Sequence, residues 1–201
     1  MLVVGITGGI ASGKSELAEC LRSCGAIVVD ADNVGHSVIE EEEVLNNLVS
    51  AIDEDILDPD GKIDRKILGP KVFGNKEKLQ ILNETTLPRI SEIINSHLEM
   101  YSKTLPPNQV VVIDAPLLVE SGLNKQSDAV VLIRSDMNKR IERLTEKGYS
   151  PDEAMDRINS QLSDEELAKY ADHIIDNNGS NEELREKARE LWQQITSLSA
   201  F

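Results

Sequence analysis

The segment GGIASGKS, residues 8–15, constrains the fold of this chain more than any other segment. It follows the apolar run at residues 2–6 and precedes a helical pattern that begins at Lys14. The sequence therefore predicts a strand, a glycine-rich turn and a helix in that order. Glycines let backbone N–H groups turn towards an anion, and the amino end of a helix adds donors and partial positive charge. The spacing is typical of a loop that binds nucleotide phosphates, with Gly8, Gly9 and Gly13 shaping its backbone.

Two side chains of this loop have predicted tasks. Lys14 is expected to bridge the outer phosphates of the nucleotide, and the Ser15 hydroxyl is placed to bind Mg²⁺. A phosphate-binding loop does not by itself identify the reaction, because switch GTPases, motor ATPases and small-molecule kinases share it. The guanine-reading pattern N-K-x-D is absent from the sequence. This absence argues against a GTPase.

Apolar runs and helical patterns alternate along the chain. Runs rich in β-forming residues occur at residues 2–6, 26–29, 109–113, 129–133 and 173–175. Helical patterns occupy residues 14–23, 79–101, 137–147 and 181–198, the last with Ser180 and Glu183 as a capping pair. The order predicts an α/β fold in three layers, with helices on both faces of a mostly parallel five-stranded sheet.

Two regions interrupt this alternation. Residues 33–103 are too many for a simple crossover and predict an inserted helical lobe. Residues 148–170 are polar and charged, with Pro151 as the first residue of a helix, and predict a mobile helical lid. The expected organisation is a single domain whose core comprises residues 1–32, 104–147 and 171–201.

The charge and the cysteines restrict location and partners. A formal charge of -15 argues against a general nucleic-acid binder, although a local pocket can still be basic on an acidic protein. Cys20 and Cys24 are interpreted as small apolar residues and not as a disulfide. The amino terminus lacks a basic leader pattern, and no apolar run is long enough to cross a bilayer. We expect a cytoplasmic protein with a small-molecule substrate and no membrane partner. The sequence does not indicate an oligomeric state.

Two acids, Asp30 and Asp32, follow the second apolar run in the stretch IVVDADNVGH. They could be metal ligands, a base with its orienting partner, or a cap on a helix at residues 33–38. Ligands of parallel sheets gather beyond the carboxyl ends of the strands, and only one helix separates this strand end from the loop. Asp32 is therefore predicted to act as a base or to orient an acceptor hydroxyl, with helix capping as the alternative. Asp30 is expected to orient Asp32 or to assist Mg²⁺.

Further candidates lie later in the chain. Asp114 ends the third apolar run, as an acid that reaches Mg²⁺ through water commonly does. Arg143 is predicted to neutralise charge on the transferred phosphoryl group or to stack on a base, and Arg157 follows in the lid. Arg140 and Lys147 share the helix of Arg143, and an ordinary charged helix face is the alternative interpretation for this group.

The whole chain resembles the dephospho-coenzyme A kinase family. The similar segments are GITGGIASGKS, VVDAD, DGKIDRKILGPKVF, VIDAPLLVESG, RIERL, EAMDRINSQ and ADHIIDNNGS. The resemblance implies transfer of the γ-phosphate of ATP to the 3′-hydroxyl of the ribose of dephospho-coenzyme A. It also implies a core like that of other P-loop kinases, a helical lobe that binds the acceptor, and a lid.

The resemblance assigns residues to these tasks by position. Residues 11–16, which include Ala11, Ser12 and Glu16, fall on the ATP loop, and Asp32 matches the base. Arg143 and Arg157 match arginines near the nucleotide. The acceptor side would comprise Asp30, Asp32, His36, Arg65, Pro116 and Leu117.

The sequence departs from the family pattern at a few positions. Leu87-Pro88 stands where the family often has His-Pro, Arg140 where it commonly has glutamine, and Lys147 where it has a second arginine. Two alternatives to the main interpretation are another small-molecule or nucleotide kinase and a nucleotide-binding regulator without catalysis. The retained Lys14, Ser15, Asp32 and Asp114 argue against the regulator.

Overall fold

The computed structural model describes residues 1–198. Within them the chain forms a five-stranded sheet in the order β2-β3-β1-β4-β5, and every pairing between neighbouring strands is parallel. The strands are β1 (Leu2–Thr7), β2 (Ile27–Asp30), β3 (Val110–Asp114), β4 (Ala129–Arg134) and β5 (His173–Asp176). The predicted α/β fold and its five strands are confirmed. Most strand ends differ by one residue from the predicted ones.

The helices lie between and after the strands, most of them in the two regions predicted to interrupt the alternation. They are α1 (Lys14–Ser23), α2 (Ala31–Val38), α3 (Glu42–Ala51), α4 (Arg65–Phe73), α5 (Lys76–Thr104), α6 (Met137–Glu146), α7 (Pro151–Asn159), α8 (Asp164–Leu167) and α9 (Asn181–Leu198). Ser180 and Glu183 cap α9 reciprocally, as predicted, since each side chain accepts from the other's backbone N–H.

The main core lies between the sheet and the helices α1 and α9. Ile6 of β1, Val112 of β3 and Ile133 of β4 are fully buried in it, because the central strands are covered on both faces. Cys20 packs against the edge of this core, and both Cys20 and Cys24 are free and half-buried. The cluster fixes β1 and α1, which flank the glycine-rich loop.

Contacts divide the chain into two compact units, Met1–Asp30 with Asn95–Phe201 and Ala31–Ile94. The second unit holds α2 to α4 and the first part of α5. Its helix α4 begins after Asp64, whose Oδ1 accepts from the Lys66 N–H at 2.8 Å. The predicted lobe at residues 33–103 overlaps this unit.

Two capped helices form much of the predicted lid, residues 148–170. Pro151 is the first residue of α7, as predicted. Ser150 and Glu153 form a capping box there, and Ser163 and Glu166 form another at α8.

No helix within residues 1–198 has the length and apolar character needed to cross a membrane.

Candidate active site

The glycine-rich loop, residues 8–13, joins β1 to α1 in a tight, strained conformation. Ala11 has a φ of 61°, which is uncommon for any residue but glycine. The Ser12 N–H donates to the Gly9 carbonyl at 3.0 Å. The Ser12 hydroxyl is buried and has no hydrogen-bond partner among residues 1–198. A buried, unsatisfied hydroxyl within a loop of N–H donors suits a polar ligand such as phosphate.

Side chains from distant elements hold three consecutive carbonyls of this loop. The contacts are Arg140 Nε to Ile10 O at 2.9 Å, Arg143 Nη1 to Ala11 O at 2.8 Å and Asn177 Nδ2 to Ser12 O at 2.8 Å. A trans peptide points its N–H opposite to its carbonyl. The N–H groups of Ala11 and Gly13 are therefore directed away from these side chains. The loop backbone is oriented before any ligand arrives.

Two of the loop glycines are needed because the side chains of Arg140 and Asn177 come close to the loop backbone. A Cβ at Gly9 would lie 2.2 Å from Arg140 Nη2, and one at Gly13 would lie 2.1 Å from Asn177 Nδ2. Gly13 also has a φ of 101°, which disfavours a side chain. The two glycines thus admit the side chains that hold the loop.

Lys14 and Asp114 form a mostly buried ion pair at the end of the sheet. The Lys14 ammonium donates to Asp114 Oδ1, and the two side chains are 12% and 7% exposed. Ser15 and Glu16 follow Lys14 in the exposed first turn of α1. The structure therefore brings together the predicted phosphate-binding lysine and the acid predicted to reach Mg²⁺.

The strand-end acids lie on neighbouring strands. Asp30 is the register partner of Asp114 in the pairing of β2 with β3. Asp32 lies in the first turn of α2 and is exposed. The alternative interpretation, in which Asp32 caps a helix that begins at residue 33, is wrong. Helix α2 begins at Ala31, so Asp32 is inside it and Asp30 immediately precedes it.

Arg143 is held by the protein itself. Besides the Ala11 carbonyl, its guanidinium donates to Ser135 Oγ at 3.3 Å and to the Asn177 carbonyl at 3.2 Å. Arg157, in α7, lies over the ring of Tyr149 with its Cζ 4.4 Å from the ring centroid. Arg143 is thus within the loop's hydrogen-bond network.

Arg140 is more deeply buried than its place in a charged helical pattern indicated. Its side chain is 7% exposed, and Nη1 lies 3.8 Å from Asp164 Oδ1. Burial lowers the pKa of Arg140, an effect that Asp164 partly offsets. Burial raises the pKa of Asp164, and Arg140 opposes that shift. The interpretation of Arg140 as an ordinary surface charge is therefore wrong, because it supports the Ile10 carbonyl from the interior.

Two amide side chains that contact the loop were not among the predicted site residues. Gln161 Oε1 accepts from the Ile10 N–H at 2.7 Å, and Asn177 donates to the Ser12 carbonyl. Gln161 ends the segment EAMDRINSQ and Asn177 lies within ADHIIDNNGS, both quoted above for their resemblance. Their presence in those segments was the available signal, but sequence spacing could not show that both reach the same loop.

The remaining predicted residues fall in both compact units. Pro116 and Leu117 follow β3 and are half-buried, and the Pro116 carbonyl accepts from Thr7 Oγ1 at 3.2 Å. His36 in α2 and Arg65 at the start of α4 are exposed and belong to the unit Ala31–Ile94.

A cavity of about 580 Å³ lies beside the loop supports. Its lining includes Ser135, Arg140, Gln161, Asp164 and Asn178. The volume is within the usual range for small-molecule sites.

Comparisons with known proteins agree with this geometry. The sequence model of the family described as "CoaE: Dephospho-CoA kinase" matches residues 2–183. A dephospho-CoA kinase of Corynebacterium glutamicum is 42% identical over 199 residues, which cover 98% of each chain. One from Dehalococcoides mccartyi is 40% identical over 99% of this chain and 100% of its own.

Solved structures show the same likeness. A dephospho-CoA kinase from Campylobacter jejuni has a TM-score of 0.69 and 31% identity, with 97% of each chain covered. A shikimate kinase from Acinetobacter baumannii in complex with shikimate has a TM-score of 0.58 at 15% identity, covering 100% of this chain and 96% of its own. At that identity the second likeness shows only a shared fold.

Proposed function

The chain belongs to the dephospho-CoA kinase family, and we propose that Asp32 is the residue that faces the acceptor hydroxyl in its reaction. The protein is a kinase that phosphorylates dephospho-CoA with ATP, in coenzyme A biosynthesis. We further propose which residues carry out this reaction, and that the phosphorylated group is the 3′-hydroxyl of the acceptor's ribose. Its main support is the placement of Asp32 two residues after Asp30, whose strand pairs in register with the strand that ends in Asp114.

The nucleotide phosphates are proposed to bind residues 8–16. The oriented carbonyls leave the N–H groups of Ala11 and Gly13 directed away from the supporting side chains. The amino end of α1 adds further donors. Lys14 would exchange its bond to Asp114 for the outer phosphates, and Arg143 and Arg157 would neutralise charge on the transferred group. The cavity lined by Ser135 and Asn178 offers room for the nucleoside.

The residues proposed to hold Mg²⁺ are Ser15 and Asp114. Mg²⁺ prefers oxygen ligands and is commonly bound by one or two protein oxygens together with substrate phosphates. A hydroxyl and a carboxylate at this end of the sheet provide that chemistry. When bound, the ion would supply positive charge that stabilises the phosphates during transfer.

The acceptor is proposed to use Asp30, Asp32, His36, Arg65, Pro116 and Leu117, with the unit Ala31–Ile94 contributing the helical lobe. Asp32 would accept the proton of the ribose hydroxyl. The freed oxygen forms a bond to the γ-phosphorus while the bond from that phosphorus to the bridging oxygen of ADP breaks. The proton resides on the Asp32 carboxylate until solvent removes it.

A cytoplasmic location is proposed as well. Cys20 and Cys24 are free thiols, and free thiols are typical of reducing compartments.

The test is an assay of ADP release by the purified protein with ATP, Mg²⁺ and dephospho-CoA, and with nucleosides and nucleoside monophosphates as other acceptors. We expect turnover with dephospho-CoA and a product that carries a new 3′-phosphate, identified by phosphorus NMR. Phosphate at a different hydroxyl would contradict the proposed acceptor atom. Turnover only with another acceptor would contradict the substrate.

A further inference from the structure

We propose that Gln161 is a positioning residue that connects the lid, residues 148–170, to the phosphate-binding loop, so that lid docking sets the loop shape that binds ATP. The proposal rests on the ATP site assigned above. It concerns a residue that touches the loop and not the reacting atoms.

The direct connection is one hydrogen bond between distant parts of the chain. Gln161 follows α7, is half-buried, and accepts from the Ile10 N–H through Oε1 at 2.7 Å. The Ile10 N–H therefore already has an acceptor within the protein, and the Ile10 carbonyl accepts from Arg140. Both main-chain polar groups of Ile10 are thus held by side chains outside the loop.

Apolar contacts connect the same two segments. Ala154 and Ile158 of α7 form a small buried cluster with Leu144 of α6, and Ile10 and Ala11 of the loop pack against it. The lid core therefore includes side chains of the loop, so the loop cannot change shape without disturbing the lid core.

A second polar path runs through Arg140. Its guanidinium lies 3.8 Å from Asp164, the first residue of α8 in the lid, while its Nε holds the Ile10 carbonyl. The lid therefore reaches Ile10 twice, directly through Gln161 and indirectly through Asp164 and Arg140.

These contacts act on the strained part of the loop. Ala11, with its φ of 61°, follows Ile10 directly, and such conformations persist only where the surroundings over-determine them. Without the Gln161 acceptor, one of the contacts that hold Ile10 and Ala11 is lost, and the loop spends a smaller fraction of time in this conformation. The apparent affinity for ATP then falls in proportion to the lost population of the competent loop.

The test compares three variants with the wild-type protein. Gln161→Met has a similar length but no side-chain carbonyl, and Gln161→Glu retains an oxygen acceptor. The matched control is Gln109→Met, which makes the same exchange at another side-chain bond to the backbone, from Nε2 to the Gly25 carbonyl at 2.8 Å. Gln109 precedes β3, at the opposite end of that strand from Asp114.

The first readout is hydrogen–deuterium exchange of the Ile10 amide, followed by NMR without nucleotide. We expect faster exchange in Gln161→Met, with wild-type protection in Gln161→Glu and in the control, and unchanged exchange in α9 in all three. Unchanged protection of Ile10 in Gln161→Met, or its loss in Gln161→Glu, would overturn the proposal.

The second readout separates binding from chemistry. We expect Gln161→Met to raise the KM for ATP about five- to tenfold, as for one neutral hydrogen bond, while kcat and the KM for dephospho-CoA stay within about twofold. An unchanged KM for ATP, or equal increases in both KM values, would overturn the positioning role. Calorimetry of ATP binding needs no acceptor, so a wrong substrate assignment would leave this test intact.

Discussion

The ammonium of Lys14 donates to the carboxylate of Asp114 in a mostly buried ion pair that joins the phosphate-binding loop to the end of β3. Both groups are proposed to act on the nucleotide, one on phosphate and one on Mg²⁺. Without ligand each group is the counter-charge of the other, so neither buried charge is left unpaired. The proposed binding of ATP therefore requires that both groups exchange this pair for new partners.

The pair predicts a large loss of stability in Asp114→Asn. The Lys14 ammonium would remain largely buried without its counter-charge, and breaking such a pair commonly costs about 3 to 5 kcal/mol. Urea unfolding of the nucleotide-free protein would measure the change. The matched control is Asp176→Asn, which removes a more exposed pair with Arg134 at 2.6 Å and should cost about 1 kcal/mol or less. Equal losses in the two variants would contradict the account.

The same variant should differ from the wild type in its affinity for ATP in opposite directions without and with Mg²⁺. Without Mg²⁺, Asp114→Asn should bind ATP at least as tightly as the wild type, because Lys14 is released and one repelling carboxylate is removed. With Mg²⁺, the variant should bind more weakly than the wild type because a proposed ligand is lost. Calorimetry with and without Mg²⁺ would show whether the order of the two proteins reverses. The same order in both conditions would exclude this exchange of partners.

Asp32→Asn tests the proposed base. We expect kcat to fall at least about a hundredfold, the lower range for loss of a general base, with ATP binding nearly unchanged. Stability should change little, since Asp32 is exposed in the first turn of α2 and a helix-dipole effect there is about 0.3 to 1 kcal/mol. Glu42→Gln removes an exposed acid from the first turn of α3 and is the control for that effect. If both variants kept wild-type kcat, Asp32 would have only a structural role.

The close packing of Asn177 predicts that Gly13→Ala abolishes ATP binding. The new Cβ would lie 2.1 Å from Asn177 Nδ2 in a backbone with φ of 101°. Gly61→Ala is the control, because Gly61 has a φ of 78° but no atom within 4 Å of the added Cβ. We expect the control to lose about 1 to 2 kcal/mol from backbone strain and to retain ATP binding. Calorimetry and urea unfolding of both variants separate steric displacement of Asn177 from strain alone.

Local patterns predicted the parts of the fold that depend on local chemistry. The bounds of α1 and α9 and the reciprocal cap at Ser180 agree with the sequence prediction because periodicity and capping act within a few residues. The place of Asp114 at a strand end was equally predictable.

The supports of the loop could not be predicted in this way. Arg140, Gln161 and Asn177 reach it across 130, 151 and 165 residues of chain. From the neighbouring sequence, Arg140 belongs to a charged helix, Gln161 to a polar lid and Asn177 to a strand end. None of these local patterns indicates a contact with the loop. The start of α2 was also missed, since Ala31 between two acids does not mark a helix boundary.

The lid caps predict a dependence of local order on pH. Hydrogen bonds from Ser150 lower the pKa of Glu153, and those from Ser163 lower the pKa of Glu166. A carboxylate whose pKa is lower in the folded state stabilises that state above its unfolded pKa, and this contribution is lost as pH falls through the folded pKa. We therefore expect the first turns of α7 and α8 to fray below about pH 4.

NMR titration of the glutamate side chains would measure this. Ser150→Ala keeps the Ser150 N–H, which is the larger cause of the shift, and removes only the hydroxyl. The pKa of Glu153 should therefore return only part of the way towards its ordinary value, while the pKa of Glu166 stays low because the two boxes have separate donors. Ser163→Ala should have the opposite pattern. If neither substitution moved the pKa of its own glutamate, the serine hydroxyls would make no contribution to the shift.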